Sequence, residues 1–129
     1  MTKHLEIGRI GEDIACRYLI NKGFSVLERN YRKNWGEIDI IASKEGVTHF
    51  VEVKSVSCEN IGIISQETSS HRPEDNAHPE KLKRLARTVS TYLSEKNLTE
   101  GDWTFDVLTV HVDQNSKRAK VSLIDNVIL

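Results

Sequence analysis

Two carboxylates and a lysine are spaced so that they could bind a metal ion and act on a phosphate. An apolar run containing Glu37 and Asp39 is separated by the turn sequence at residues 44–46 from a second run containing Glu52 and Lys54. β-Branched residues dominate both runs, which predicts two strands, and the glycine of the turn can adopt a positive φ. An antiparallel hairpin with its tip at this turn places Asp39 opposite Glu52 and Glu37 opposite Lys54. Because side chains alternate along a strand, all four are expected on one face.

Two acids in directly opposed positions would destabilise such a hairpin unless a cation lay between them. Opposed residues have Cβ atoms about 4.5–5.5 Å apart, and like charges at that separation repel. Isoleucine and valine flank Asp39 and Glu52, which predicts a central strand with one buried face, where unpaired charge is costly. A metal site is the more specific interpretation, in which the Lys54 ammonium group would hold an attacking water or a phosphate oxygen as a compact point charge. The alternatives are a solvated strand face and a register shifted by one residue.

The same residues resemble a nuclease signature. Asp39, a spacer and the triplet at residues 52–54 resemble the D…ExK motif of the PD-(D/E)XK nuclease superfamily. The wider strings around them resemble the YraN-like family within it. Further matching segments at residues 8–15, 81–85 and 105–107 follow in the expected order. The resemblance therefore covers nearly the whole chain.

This resemblance implies a fold, a reaction and a set of site residues. The implied fold is α/β, a restriction-endonuclease-like core of order α-β-β-β-α-β-β with a mixed central sheet flanked by helices. The implied reaction is hydrolysis of DNA phosphodiester bonds with Mg²⁺, for which Mn²⁺ would substitute. Asp39, Glu52 and the backbone carbonyl of Val53 would bind the metal. Lys54 would orient the nucleophile, and Glu12 on the first helix would complete the outer shell.

Three acids have alternative interpretations. Glu12 matches the first-helix acid of the family, or is a solvated helix residue. Glu37 is expected to support Lys54 through an ion pair across the strands rather than to bind metal. Asp106 matches a family position, and is otherwise a strand-face acid or a helix-capping partner.

A basic cluster near residue 80 offers contacts to nucleic acid. Lys81 and Lys83 are candidates for phosphate binding, whereas we interpret Arg84 and Arg87 as solvated charges. The net charge of −1 argues against tight nonspecific binding to DNA. Similarity to Holliday-junction resolvases implies branched or flapped DNA as the partner. The competing function is a catalytically slow or inactive module that binds nucleic acid or protein.

Length and composition predict one globular domain in the cytoplasm. The chain has 129 residues, of which 38% are hydrophobic, enough for a single core. No apolar run has transmembrane length, and residues 1–4 lack the features of a signal peptide. The two cysteines and five histidines show no metal-ligand spacing.

Hydrophobic periodicity predicts two helices and five strands. The first helix is predicted to bury a stripe of Ile7, Ile10, Ile14 and Tyr18, and to present Gly8, Gly11 and Ala15 as a small-residue face for close packing. We predict helices at residues 3–22 and 79–96, and strands at residues 24–32, 37–42, 47–55, 103–112 and 121–124.

Residues 58–78 are polar and aperiodic, which predicts a mobile loop. This segment is longer than its counterpart in the family that the chain resembles, and could cover the site, mediate dimerisation or set substrate preference. Ile61, Ile63 and Ile64 are candidates for a homodimer interface. Alternatively they form a short strand or fold back over the second helix.

Overall fold

The computed structural model describes residues 3–57, 79–113, 115–124 and 127. The order of its elements, α-β-β-β-α-β-β, confirms the predicted fold class. Neither helix in these ranges is long and apolar enough to cross a membrane. Predictions that concern residues 58–78, including those for Ile61, Ile63 and Ile64, lie outside the described residues. The elements are α1 (Lys3–Asn21), β1 (Ser25–Lys33), β2 (Gly36–Lys44), β3 (Val47–Ser57), α2 (Pro79–Glu95), β4 (Trp103–Asp113) and β5 (Arg118–Ile124).

The five strands form one mixed sheet in the order β1-β2-β3-β4-β5. Strands β3 and β4 are parallel, and the other neighbouring pairs are antiparallel. Helix α1 packs on one face of the sheet and α2 on the other, so the sheet has two separate apolar cores. Strand β4 is buried along most of its length, as expected for a strand that is covered on both faces.

The predicted β2–β3 turn is confirmed, and so is the predicted register between residues 40–44 and 47–51. Glu45 and Gly46 have φ values of 51° and 83°, which is the pair of positive values that a tight two-residue hairpin turn uses. The ladder runs from Lys44 opposite Val47 to Ile40 opposite Val51. It therefore ends one position before Asp39 and Glu52. The sequence predicted that these two residues are directly opposed, but the ladder does not pair them.

The alternation of side chains breaks at Asp39. Ile38 packs in the core beneath α2, whereas Ile40, two residues later, packs in the core beneath α1. Residues two apart on a regular strand share a face. The side chains of β1 change faces at the same level of the sheet. Arg29 donates a hydrogen bond to α1, Tyr31 packs against α2, and Asn30 between them has a φ of 53°. Asn tolerates this left-handed conformation better than most residues. Asp39 thus lies where the buried side chains of β2 change from the α2 face of the sheet to the α1 face.

The buried face of α1 differs from the predicted stripe. Ile10 is 36% exposed, and Ile14 and Tyr18 are only partly buried. The buried face runs through Gly11 and Ala15, and Gly11 allows the helix to lie close to β3. Among residues 6–21 of the helix, the buried side chains are those of Ile7, Ala15, Cys16 and Leu19.

Gly11 is the position where α1 requires a glycine. A Cβ atom at Gly11 would lie 1.8 Å from Ser55 Oγ and 2.8 Å from Ser55 Cβ, both closer than real contacts allow. A Cβ atom at Gly8 would have no neighbour within 4 Å. The prediction of close packing is therefore confirmed for Gly11 and wrong for Gly8.

Alanine at these two glycines should have opposite effects on stability. Gly11→Ala should lower the free energy of unfolding by about 1–3 kcal/mol, because α1 must move away from β3. Gly8→Ala should raise it by up to about 1 kcal/mol, because alanine favours the helix without a clash. Urea denaturation measures both, and Ser55→Gly should partly rescue Gly11→Ala. Equal stability of the two alanine variants would contradict the packing described here.

Candidate functional site

Asp39 separates two hollows at the end of the β2–β3 ladder. The larger has a volume of about 330 Å³ and lies between the sheet and α2, and the smaller, of about 200 Å³, lies beside α1. Asp39 lines both, so this residue borders a hollow on either face of the sheet. The larger hollow is lined by Gly36, Glu37, Ile38, Asp39, Val51, Glu52, Lys81, Arg84, Leu85 and Phe105, and the smaller by Ile7, Gly8, Glu12, Asp39, Val53 and Ser55.

The Asp39 carboxylate is held in a position that disfavours its charge. Burial raises its pKa from 3.8 to about 6, and the negative charges of Glu12, Glu52 and Glu37 act in the same direction. A hydrogen bond from the Val53 backbone N–H to Asp39 Oδ2, 2.8 Å long, lowers the pKa and offsets part of this effect. Within the described ranges, no Lys, Arg or His forms a salt bridge with Asp39. A cation at this point would therefore relieve a repulsion that the protein itself leaves uncompensated.

Glu52 already has a cationic partner. Lys81 Nζ lies 2.8 Å from Glu52 Oε1, and the two side chains are 34% and 21% exposed. Lys81 comes from the first turn of α2, which begins at Pro79. This lysine, predicted as a phosphate contact, therefore reaches into the larger hollow and binds one of the predicted metal ligands.

The structure brings Glu12 to the site but gives Glu37 a different partner from the one predicted. Glu12 lines the smaller hollow with Asp39 and lies 3.8 Å from Arg29. Glu37 Oε2 accepts a hydrogen bond from Arg32 Nε at 2.7 Å. The predicted ion pair of Glu37 with Lys54 is wrong, because Arg32 is directly opposite Glu37 in the β1–β2 ladder, whereas the β2–β3 ladder has already ended.

Val53 and Lys54 follow Glu52 on β3. Val53 lines the smaller hollow and fixes one Asp39 oxygen through its N–H. Lys54 is two residues beyond Glu52, so it projects from the same face of the strand. It is partly buried and lines neither hollow. In the described part of the chain no carboxylate forms a salt bridge with it.

Asp106 lies outside both hollows. Its side chain is 1% exposed, and Asp106 Oδ2 is 2.8 Å from His49 Nδ1. Thr104 Oγ1 approaches the same ring nitrogen at 2.8 Å. Asp106 is thus a strand residue in a buried polar network between β3 and β4.

Basic residues of α2 continue from the larger hollow toward the β1–β2 turn. Arg84 borders the hollow and is exposed, which agrees with its interpretation as a solvated charge. The Arg87 guanidinium lies 3.9 Å from the centre of the Trp35 ring. Lys83 is exposed. The spacing of Lys81, Arg84 and Arg87, three residues apart, could have indicated this shared flank of the helix.

The described residues contain no group of three or more His, Cys, Asp or Glu side chains placed to hold a metal ion by themselves. The predicted ligand set is different in kind, because it consists of two carboxylates and one backbone carbonyl. It also includes Glu52, whose carboxylate is turned to Lys81.

Comparison with known proteins establishes the family. Residues 11–110 match the family described as uncharacterised protein family UPF0102. The chain belongs to the UPF0102 family. A UPF0102 protein of Helicobacter pylori strain P12 is 40% identical over 126 residues, which cover 98% of this chain and 94% of that protein. A UPF0102 protein of Helicobacter hepaticus is 36% identical over 122 residues, covering 95% and 94%. One of Sulfurihydrogenibium sp. strain YO3AOP1 is 37% identical over 107 residues, covering 83% and 85%.

Asp39 should make the stability of this UPF0102 protein depend on pH. Its folded pKa, about 6, lies above its ordinary value of 3.8, so the folded state binds the proton more tightly than the unfolded state. The contribution of Asp39 is therefore fully favourable below pH 4 and is lost as the pH rises through 6. In EDTA, Asp39→Asn should be more stable than the native protein at pH 7.5 by about 2 kcal/mol, and this advantage should vanish near pH 4.

Asparagine is the informative substitution because it keeps an oxygen that can accept the Val53 N–H bond. Glu100→Gln, at an exposed position, is the matched control and should show no such advantage. Urea denaturation across the pH range measures all three proteins. An Asp39→Asn variant that is less stable than the native protein at every pH would show that Asp39 is a structural partner.

Proposed function

We propose that this UPF0102 protein is a Mg²⁺-dependent endonuclease that hydrolyses phosphodiester bonds in DNA, with Mn²⁺ as a substitute ion. The observation that carries the proposal is Asp39, a partly buried carboxylate surrounded by other acids and without a cationic partner in the described ranges. A protein retains such a destabilising charge most readily where the charge has a function.

The available donors fit Mg²⁺. Carboxylates and a backbone carbonyl are hard oxygen ligands, which Mg²⁺ and Mn²⁺ prefer over nitrogen and sulfur. Asp39 and Glu52 would hold the ion together with the Val53 carbonyl. When bound, the ion supplies Lewis acidity, which makes water a stronger nucleophile at neutral pH and offsets charge on the phosphate oxygens.

The protein's own residues would position the reactants. The Val53 N–H fixes the orientation of Asp39 Oδ2, which leaves the other carboxylate oxygen available as a ligand. Lys54 would hold the attacking water or a phosphate oxygen as a compact positive charge. Glu12, in the smaller hollow, would accept a hydrogen bond from a water on that side of Asp39 and so complete the outer shell.

DNA would approach along the basic flank of α2. Lys81 and Arg84 line the larger hollow, and Arg87 extends the flank toward Trp35. These residues would contact phosphates, which position a nucleic acid without reading its sequence. Because the net charge of the chain is −1, the positive potential is local and binding should weaken steeply with salt. The proposed substrate is branched or flapped DNA. We also propose that the protein acts as a homodimer that cuts two strands.

The second candidate function is a binding module that cleaves slowly or not at all. The observation in its favour is the Lys81–Glu52 ion pair, because it engages a carboxylate that is proposed to bind the metal. The presence of Asp39, Glu52 and Lys54 together favours the enzyme.

Purified protein should cut DNA only when Mg²⁺ or Mn²⁺ is present. Linear duplex, single-stranded, flapped and four-way DNA are the substrates, and cleavage is followed on gels with EDTA as the metal-free control. Asp39→Asn, Glu52→Gln and Lys54→Met should each lower the cleavage rate by about a hundredfold or more, because each removes a charge that acts in the transition state. Glu100→Gln should cleave at the native rate.

Two results would contradict the nuclease. If all three site variants cut as fast as the native protein, the activity would come from a contaminant. If the native protein bound these DNAs in Mg²⁺ without cutting any of them, the binding module would be the better account.

A further inference from the structure

The ion pair of Lys81 with Glu52 has a consequence for metal binding. Lys81 Nζ is 2.8 Å from Glu52 Oε1, and both side chains are mostly shielded from solvent. A divalent ion at Asp39 and Glu52 would need this carboxylate as well. An ammonium group and a metal ion cannot both make their strongest contact with it, because their like charges would repel at such short range.

We propose that Lys81 is a built-in competitor of the metal ion at Glu52, and that a DNA phosphate relieves the competition by drawing Lys81 away. This inference rests on the proposed metal site. It assigns Lys81 a role in regulating that site, in addition to contact with DNA. Metal and DNA would then bind cooperatively, each raising the affinity for the other by the same factor.

The position of Lys81 allows it to exchange partners. Its side chain is long and flexible, and it extends from the first turn of α2 into the hollow that Arg84 also lines. A phosphate bound by Arg84 would therefore lie within the same hollow as the Lys81 ammonium group. Since Lys81 is one third exposed, it can turn outward without opening the core.

A purely structural ion pair makes a different prediction. If Lys81 served only to hold α2 against β3, its removal would destabilise the fold and would weaken or leave unchanged the affinity for metal. A competitor raises that affinity when it is removed. The direction of the change in metal affinity therefore separates the two roles.

Titration of Mn²⁺ into the metal-free protein by calorimetry tests the competition. Lys81→Met should bind Mn²⁺ about three- to tenfold more tightly than the native protein, the range expected for loss of a partly shielded ion pair. Lys83→Met is the matched control, since it removes the same charge two residues away on an exposed position. It should change the affinity by less than about twofold, because solvent and salt screen it. Lys81→Gln provides a second neutral variant if Lys81→Met does not fold.

Coupling between metal and DNA gives the second measurement. The affinity for a fluorescent four-way DNA junction is measured by anisotropy in EDTA and in Ca²⁺, which also binds oxygen ligands. Ca²⁺ should tighten DNA binding by a larger factor in the native protein than in Lys81→Met. Lys120→Met is the control for general charge screening, because it removes a positive charge at an exposed position of β5 outside both hollows. Equal factors in native and Lys81→Met would overturn the coupling.

The remaining outcomes are also decisive. Unchanged or weaker Mn²⁺ binding by Lys81→Met, or an equal gain by Lys83→Met, would overturn the competition while leaving the nuclease intact if the native protein cleaves DNA. If neither the native protein nor any variant binds Mn²⁺, the proposed function fails together with this inference.

Discussion

The central constraint on this structure is a carboxylate held where its charge is disfavoured. Asp39 lies between Ile38, which packs beneath α2, and Ile40, which packs beneath α1, and one of its carboxylate oxygens is fixed by the Val53 N–H. Burial and the surrounding acids raise its pKa to about 6. The protein supplies one hydrogen bond there and, in the described ranges, no countercharge, so a bound cation is the simplest way to stabilise the ionised form at neutral pH.

Each helix brings charge toward this carboxylate from its own side of the sheet. On one face, the contact of Gly11 with Ser55 brings α1 close to β3 and places Glu12 in the smaller hollow. On the other face, α2 directs Lys81 toward Glu52. The two faces therefore have opposite electrostatic effects. Glu12 of α1 adds negative charge beside Asp39, whereas Lys81 of α2 neutralises Glu52. The balance between these contributions would set the affinity for metal, and a phosphate would shift it.

The features of this fold that could be predicted from the sequence have local determinants, whereas those that could not depend on packing between the layers. The Glu45-Gly46 turn and the β2–β3 register follow from a short loop, so they could be predicted. The change of faces between Ile38 and Ile40 could not, because nothing in the sequence of β2 indicates it, and the positive φ that accompanies it lies in the neighbouring strand, at Asn30. Similarly, the exposure of Ile10 depends on how closely α1 approaches the sheet. The Lys81–Glu52 pair joins distant parts of the chain, and neither residue type nor spacing identifies it.

The most direct test is a crystal structure of the protein soaked in Mn²⁺, with anomalous diffraction used to locate the ion. We predict one strong anomalous peak within about 2.5 Å of oxygens from both Asp39 and Glu52, with Lys81 Nζ displaced from Glu52 Oε1. The site should vanish in crystals of Asp39→Asn. A fully soaked crystal in which Glu52 still binds Lys81, and in which Asp39 has no anomalous peak beside it, would contradict the account.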